Sequence, residues 1–308
     1  MIFKNAQVFT FTKSFTLTAN ELNEHISTQK FTPLMSTEFS HFGFVSPIKG
    51  GLNLVHEANG NLLLCTRKEE KILPASVIKD LVDEQVEELE QTQLFSATKK
   101  QRAEIKDDVE LELLPRAFTR KTDVYAYINA ESNTIVIDTA SRNKAEDVLS
   151  LLRKAIGALP VKSVKTKVDP SDIMTSWVSG LFDFNSDTHT LGHSFSFGLE
   201  AHFSGVGDDS ATAVVRNQEM NSAEVKVHLE ADQYVNKLAL EYIDTMSFML
   251  HDDLSIKRIK FEDIFEESYN DDVEKFDGEF ILMAGELNNM IADLYNEFSV
   301  DPTDSLDY

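Results

Sequence analysis

Apolar positions along this chain recur with two periods, and the switches between them mark out its elements. Val8-Phe9-Thr10-Phe11-Thr12 alternates like a strand, and Thr18-Ala19-Asn20-Glu21 has capping-box spacing ahead of a short helix carrying Leu22 and Ile26. Residues 52–66 read as a hairpin turning at Asn59-Gly60, and Val124-Tyr125-Ala126-Tyr127-Ile128 pairs across a polar turn with Thr134-Ile135-Val136-Ile137-Asp138. Between the hairpins the period becomes helical. Pro74 suits a first-turn position, Ile78, Leu81, Val82, Val86 and Leu89 share one side, and Glu84, Glu87, Glu88 and Glu90 lie outside. A polar break over residues 91–97 separates this helix from a second, over 98–114, that Pro115 ends. The pair predicts an arm whose helices each reach about 20 to 25 Å, at about 1.5 Å per residue, before returning to the sheet.

Asn143 with Glu146 has capping-box spacing for a helix that turns Ala145, Val148, Leu149, Leu152 and Ile156 inward. Arg153 and Lys154 fall in its last turn, before Gly157 and Pro160 close it. Residues 181–213, rich in Ser, Gly, Asp, His and Phe, offer only a short alternation at His193-Ser194-Phe195-Ser196-Phe197. Residues 237–261 read as two strands joined near Asp252-Asp253. Residues 276–298 read as a final helix with Ile281, Leu282, Leu287, Ile291 and Leu294 inward, and the tail after Asp301 predicts disorder. The pattern predicts an α+β chain of mixed sheets with a protruding helical arm.

Charge changes the picture more than composition does. The 308 residues carry a net charge of -23, which taken alone opposes long-range attraction to DNA, RNA or anionic membranes. The charge is segregated, however: residues 262–308 hold fifteen acids against Lys275 alone. Residues 142–167 hold seven bases (Arg142, Lys144, Arg153, Lys154, Lys162, Lys165 and Lys167) against Glu146 and Asp147. An acidic outer surface with a basic inner one permits polyanion binding while limiting indiscriminate sticking. No apolar run approaches the roughly 18 residues that cross a bilayer, and Met1-Ile2-Phe3-Lys4-Asn5 does not open a signal peptide, so a cytoplasmic location is expected. Cys65, the only cysteine, sits in the run Leu62-Leu63-Leu64-Cys65 and reads as a buried thiol.

The segment Leu113-Leu114-Pro115-Arg116-Ala117-Phe118-Thr119-Arg120-Lys121 sets an aromatic among three cations, with no further acid until Asp123. Pro115 predicts an exposed turn holding Arg116, Phe118, Arg120 and Lys121, which suits contact with a polyanion or a second copy of the chain. Phe118 reads equally as a core plug or an interface anchor. Lys99, Lys100, Arg102 and Lys106 share their helix with Glu104, Asp107, Asp108, Glu110 and Glu112, the mixed charge of a solvated face.

Other motifs read as loops. Gly205-Val206-Gly207 lacks the third glycine of a dinucleotide site, and Asp183, Asn185 and Asp187 are followed by Thr188 where a calcium loop needs glycine. His189, His193 and His202 have no fixed spacing and read as solvated loop histidines. No nucleophile motif, phosphate loop or paired carboxylate signature is present, so neither an enzyme, a cofactor, a metal nor a small-molecule substrate is expected.

Several blocks together carry a family resemblance: Arg67-Lys68-Glu69-Glu70-Lys71-Ile72-Leu73-Pro74 with Val77-Ile78-Lys79, the run from Leu113 to Arg120, and Lys144-Ala145-Glu146-Asp147 with Leu151-Leu152-Arg153-Lys154. Lys237-Leu238-Ala239-Leu240 and Phe280-Ile281-Leu282-Met283 with Gly285-Glu286-Leu287 continue it. In this order they resemble the RdgC family of recombination-associated proteins, over nearly the whole chain apart from 181–213. The resemblance implies a ring-shaped homodimer around double-stranded DNA, nucleoid-associated, with little sequence preference and with the RecA recombinase as the process it restrains. It also implies a division into a central sheet region (1–73 and 122–160), a helical finger (74–121) and a C-terminal sheet and helix region (161–308) that supplies base and gate contacts.

Residue by residue, Arg116 matches a cation of the hole, Phe118 the aromatic of the fingertip gate, and Gln218 a gate residue of the partner chain. Arg120 and Lys121 join Arg116 as proposed phosphate contacts. Phe95, Asn217 and Gln233 stand where the family carries cations, which implies weaker DNA binding, with Arg216, Lys99 and Lys100 as compensating cations. The alternative that the sequence supports is an acidic, DNA-mimicking protein that contacts RecA or a replication protein directly.

Overall fold

The apolar run from Leu62 to Cys65 is buried at every position, the signature of a strand covered on both faces. That strand organises the computed structural model, which describes residues 2–182, 190–205, 211–262 and 272–300. The first part of the chain forms β1 (Asn5–Phe11), α1 (Ala19–Ser27), β2 (Ser40–Val45), β3 (Val55–Ala58) and β4 (Asn61–Lys71). The arm helices α2 (Ala75–Gln93) and α3 (Lys99–Leu113) follow, then β5 (Thr119–Asn129), β6 (Thr134–Ile137), α4 (Arg142–Ile156) and β7 (Val161–Ser163). The remainder comprises α5 (Pro170–Ser179), β8 (Phe195–Ser204), β9 (Thr212–Arg216), α6 (Ala223–Glu230), β10 (Tyr234–Tyr242), β11 (Met246–His251), β12 (Ile256–Phe261) and α7 (Asp272–Glu297).

The strands join in the order β2-β4-β5-β6-β1-β12-β11-β10-β8-β9, with β3 beside β4 and β7 beside β1, and each of these pairings is antiparallel. The chain is thus α+β, with seven helices among the described residues. Strand β1 is the seam: Gln7 to Thr10 pair with β6, while Asn5 and Ala6 pair with Lys257 and Ile256 of β12.

Two cores flank the first half of the sheet. Leu62, Leu64, Ala126, Ile128, Ile135 and Ile137 pack with α1 and α4, whereas Leu63, Tyr127 and Val136 join α7 on the opposite side. Period-two alternation therefore feeds both layers from the same strands. The Tyr127 hydroxyl donates to Asn288 Oδ1 at 2.9 Å, tying β5 to α7. Burial, reinforced by Asp123, pushes the Cys65 thiol up to about 12.

Helix α1 begins at the predicted capping box, with Glu21 N–H donating to Thr18 Oγ1 and Thr18 N–H to Glu21 Oε2. The hairpins at Asn59-Gly60 and between β5 and β6 also form as predicted. Four expectations change. Helix α4 starts from Ser141, whose Oγ accepts from Lys144 N–H, so Asn143 is already helical and caps nothing. Pro74 sits at the N-cap of α2, one residue before its first turn. Residues 237–261 hold parts of three strands, because Tyr242 accepts from Thr245 N–H around Ile243 and Asp244, both at positive φ (42° and 54°). A β-branched residue hides the Asn-Gly signature such a turn ordinarily carries. In α7 the buried stripe is Phe280, Met283, Ala284, Leu287, Ile291 and Leu294, with Ile281 exposed and Leu282 half-buried.

The arm forms as an antiparallel helix pair. Val86 and Val109 are its buried residues, Leu94 in the left-handed region (φ 63°) ends α2, and Thr98 with Gln101 makes a capping box for α3. The predicted turn features at 183–189 and 206–210, and the tail after Asp301, lie outside the described residues.

Candidate nucleic-acid interface

Strands β4 and β5 pair without interruption from Asn61 with Asn129 to Lys71 with Thr119, forming a ribbon that carries the arm. Where ribbon meets arm, Pro115 has no N–H to continue α3, and the chain tightens into one 3-10 turn, Leu114–Arg116. Leu114 is fully buried. Four residues later Phe118 keeps 85% of its surface exposed, its carbonyl fixed by the Ile72 N–H at 2.8 Å. Arg116 is exposed and forms no ion pair with any described residue.

Arg120 and Lys121 correct the sequence expectation. They lie in β5 rather than on the turn, directly across from Glu70 and Glu69 of β4. Arg120 grips Glu70 and holds its carboxyl below the usual range. Lys121 Nζ lies 3.6 Å from Glu69, where burial opposes ionisation but the Leu34 N–H, Thr119 and Lys121 outweigh it. Register pairs these cations with acids fifty residues away, which no local reading of charge shows. Lys99 and Lys100 occupy the first turn of α3, about 20 Å along that helix from Leu113. Lys100 pairs with Glu104 at 3.7 Å. Phe95, 61% exposed, lies in the loop at that far end.

The second group of cations is on the sheet. Leu238, Leu240, Phe248, Leu250, Ala201, Phe203, Ile256 and Ile259 face the α7 core. Alternation sends their neighbours to the other face, and register places them together: Lys237 opposes His202 and His251, Lys257 opposes Met249, Lys260 opposes Ser247, and Arg216 opposes Glu200. Arg258, at φ 56° beside the irregularity between Ser247 and Met249, is turned onto the same face and reaches Glu200 at 2.9 Å. Five cations (Arg216, Lys237, Lys257, Arg258 and Lys260) thus gather with Glu200 and Glu241, and Asp253 lies close enough to Lys257 and His251 to act on both. An open groove of about 350 Å³ runs over it, lined among others by Arg216, Asn217, Glu241, Arg258 and Lys260.

The fields on this face are visible in its titrating groups. Burial, then Lys257 and Lys237, lower the His251 imidazole to about 4, so it is neutral at pH 7. Burial works against ionisation of Glu200, yet hydrogen bonds from His202, Arg258 and Arg216 bring its carboxyl down to about 2. His202, expected in a loop, is a strand residue bonded to Glu200 at 2.9 Å. Gln218 is exposed just past β9, its N–H donating to Leu199 O at 3.3 Å, and follows Asn217 at φ 54°. Gln233 is engaged with His228 at 2.9 Å.

Of the candidate residues, then, the fold gathers Arg116, Phe118, Arg120 and Lys121 at the ribbon's end and Arg216 and Gln218 beside the sheet groove, and it leaves Lys99 and Lys100 at the far end of the arm. Sequence reasoning missed Lys237, Lys257, Arg258 and Lys260. The signal was the alternation within each strand, obscured because 237–261 reads as two strands when the turn at Ile243-Asp244 is not recognised. Among the described residues no cluster of three or more His, Cys, Asp or Glu is arranged to hold a metal, and no helix is long and apolar enough to cross a membrane.

A family model described as "Putative exonuclease, RdgC" matches residues 1–301. The chain is 49% identical to the recombination-associated protein RdgC of Colwellia psychrerythraea over 314 aligned positions, covering 100% of this chain and 99% of the relative. Proteins of the same name from Tolumonas auensis and Aeromonas hydrophila are 40% and 39% identical, each covering 96% of this chain and 97% of the relative. Matches of this extent run through both the arm and the cation-bearing sheet, and the chain belongs to the RdgC family of recombination-associated proteins.

Proposed function

We propose that this protein binds double-stranded DNA through the phosphate backbone, with little sequence preference, as a ring-shaped homodimer of the nucleoid that restrains RecA in recombination. One observation carries the reading: a chain of charge -23 leaves one sheet face uncovered by its helical core and lines it with five cations that outnumber the carboxylates beside them. Phosphate contacts need charge and reach rather than base-edge geometry, so such a face suits any duplex sequence. Arg116 adds an unpaired cation at the ribbon's end, and Phe118 is the clasp: exposed in one chain, covered when it docks beside Gln218 of a second copy. Arg120 and Lys121, held by Glu70 and Glu69, contribute less than Arg116. The reading has no catalytic step, although the family model's description names a nuclease; duplex degradation by purified protein, abolished by substituting one named acid, would overturn that part.

The test is a titration of a labelled duplex at several salt concentrations. Wild type should bind at 50 mM salt, and Arg116→Glu should bind more weakly with a slope of log affinity against log salt shallower by about one. Absence of wild-type binding at 50 mM salt would sink the DNA reading and favour the acidic protein-interaction alternative, which the overall charge supports; inhibition of RecA without DNA binding would identify it.

A further inference from the structure

Arg67 meets Asp123 one to one at 2.6 Å, whereas Glu200 gathers three donors from three strands. Its Oε1 lies 2.9 Å from His202 Nε2 on β8 and 3.3 Å from Arg216 Nε on β9, and its Oε2 lies 2.9 Å from an Arg258 terminal nitrogen on β12. Arg258 reaches this point only from a left-handed backbone conformation beside a register irregularity, a device that re-aims a side chain. Two arginines converging on one carboxylate with a third donor alongside is a donor set that also suits a phosphate. The arginines are more than half exposed, at 64% and 56% of their side chains, so a ligand in the adjoining groove reaches them without unfolding anything.

We propose that Glu200 is a built-in stand-in for a backbone phosphate. In the free protein it holds Arg216, Arg258 and His202 in a phosphate-accepting array and relieves the repulsion between the two arginines. On the duplex, a phosphate takes its place between the two arginines, and the carboxylate turns away into the groove. The inference rests on the proposed DNA-binding reading of this face and adds a competitor to it: each duplex that binds must displace Glu200, which lowers affinity and shields the face from weaker polyanions.

The experiment uses full-length Glu200→Gln, which keeps the shape and can still accept hydrogen bonds, with Glu200→Ala as a second variant and thermal unfolding as a fold control. Duplex binding is measured from 50 to 200 mM salt. Because the same phosphate sits between the two arginines in the bound state of both proteins, the slope should match wild type, while Glu200→Gln, with no carboxylate to displace, should bind about three- to tenfold tighter at every salt concentration. A folded variant with wild-type affinity and slope, while wild type itself binds, refutes the stand-in role and leaves the DNA reading intact. A shallower slope also refutes it and makes Glu200 a positioning residue. Failure of wild type and both variants to bind at 50 mM removes the DNA reading first and this inference with it. Calorimetry with inorganic phosphate at constant ionic strength separates sources: phosphate binding by Glu200→Gln without any gain toward the duplex overturns the assignment to DNA.

Discussion

Replacing Phe118 with alanine distinguishes a clasp between chains from a plug within one. Its ring keeps 85% of its surface exposed, and a covered aromatic buries about 200 Å², so docking on a second copy removes about 170 Å² from water. At about 25 cal/mol per Å² that is about 4 kcal/mol, of which alanine retains about 1, leaving a loss of about 3 kcal/mol per contact. A two-fold dimer makes the contact twice. Area converts incompletely into affinity, so a ten- to thousandfold weakening of association is the expected result, read by sedimentation velocity over a concentration series. A second contact elsewhere in the proposed dimer would keep the variant associated at high concentration without abolishing the shift. Stability of the folded chain should change by less than about 0.5 kcal/mol, because the exposed ring gives up no internal packing. The control is Leu114→Ala, four residues away and fully buried, which should cost about 2 to 5 kcal/mol in denaturant unfolding. A Phe118→Ala protein that unfolds as easily as Leu114→Ala, or that associates like wild type, would refute the clasp.

Gly43→Ala should destabilise by about 2 to 3 kcal/mol in chemical denaturation, since a Cβ there would meet Phe31 backbone atoms at 2.5 and 2.7 Å, and these cannot move without breaking the bond from Phe31 N–H to Phe44 O. Glu200, whose carboxyl is depressed from 4.5 to about 2, contributes stability present in full above pH 4.5 and lost as pH falls toward 2. A shift of that size corresponds to about 3 kcal/mol, which solvent on this open face reduces to about 1 to 2. Acid-unfolding curves of wild type and Glu200→Gln should therefore differ at pH 5 and converge by pH 2.

The parts of the fold legible in the sequence were those whose signals are local. Thr18 and Thr98 cap helices by contacts three residues away, and Asn59-Gly60 marks its turn by its own backbone preference. The run from Leu62 to Cys65 reads as a buried strand, but that its residues serve two cores depends on α4 and α7, distant in the chain. The candidate site divides the same way. Arg116 and Phe118 are exposed because Pro115 shapes the turn next to them. Arg120, Lys121 and Arg216 meet their acids only through strand register, and the cations of β10 and β12 become a surface only once three strands align them.

Strand β1 has a consequence for the order of assembly. Its Gln7 to Thr10 stretch can pair as soon as Thr134 to Ile137 have emerged, whereas Asn5 and Ala6 wait for Ile256 and Lys257. At a synthesis rate of about 5 to 20 residues per second, the intervening stretch takes on the order of ten seconds, during which one end of an otherwise finished sheet stays open. The amino terminus of the nascent chain is thus an unfilled edge that the last strand closes, and the arm-bearing strands pair before the cation-lined face exists, although Leu63, Tyr127 and Val136 wait for α7 to cover them. Nascent chains arrested before residue 256 should expose that edge to proteolysis or to pairing with neighbouring chains, and those from which residue 261 has emerged should not.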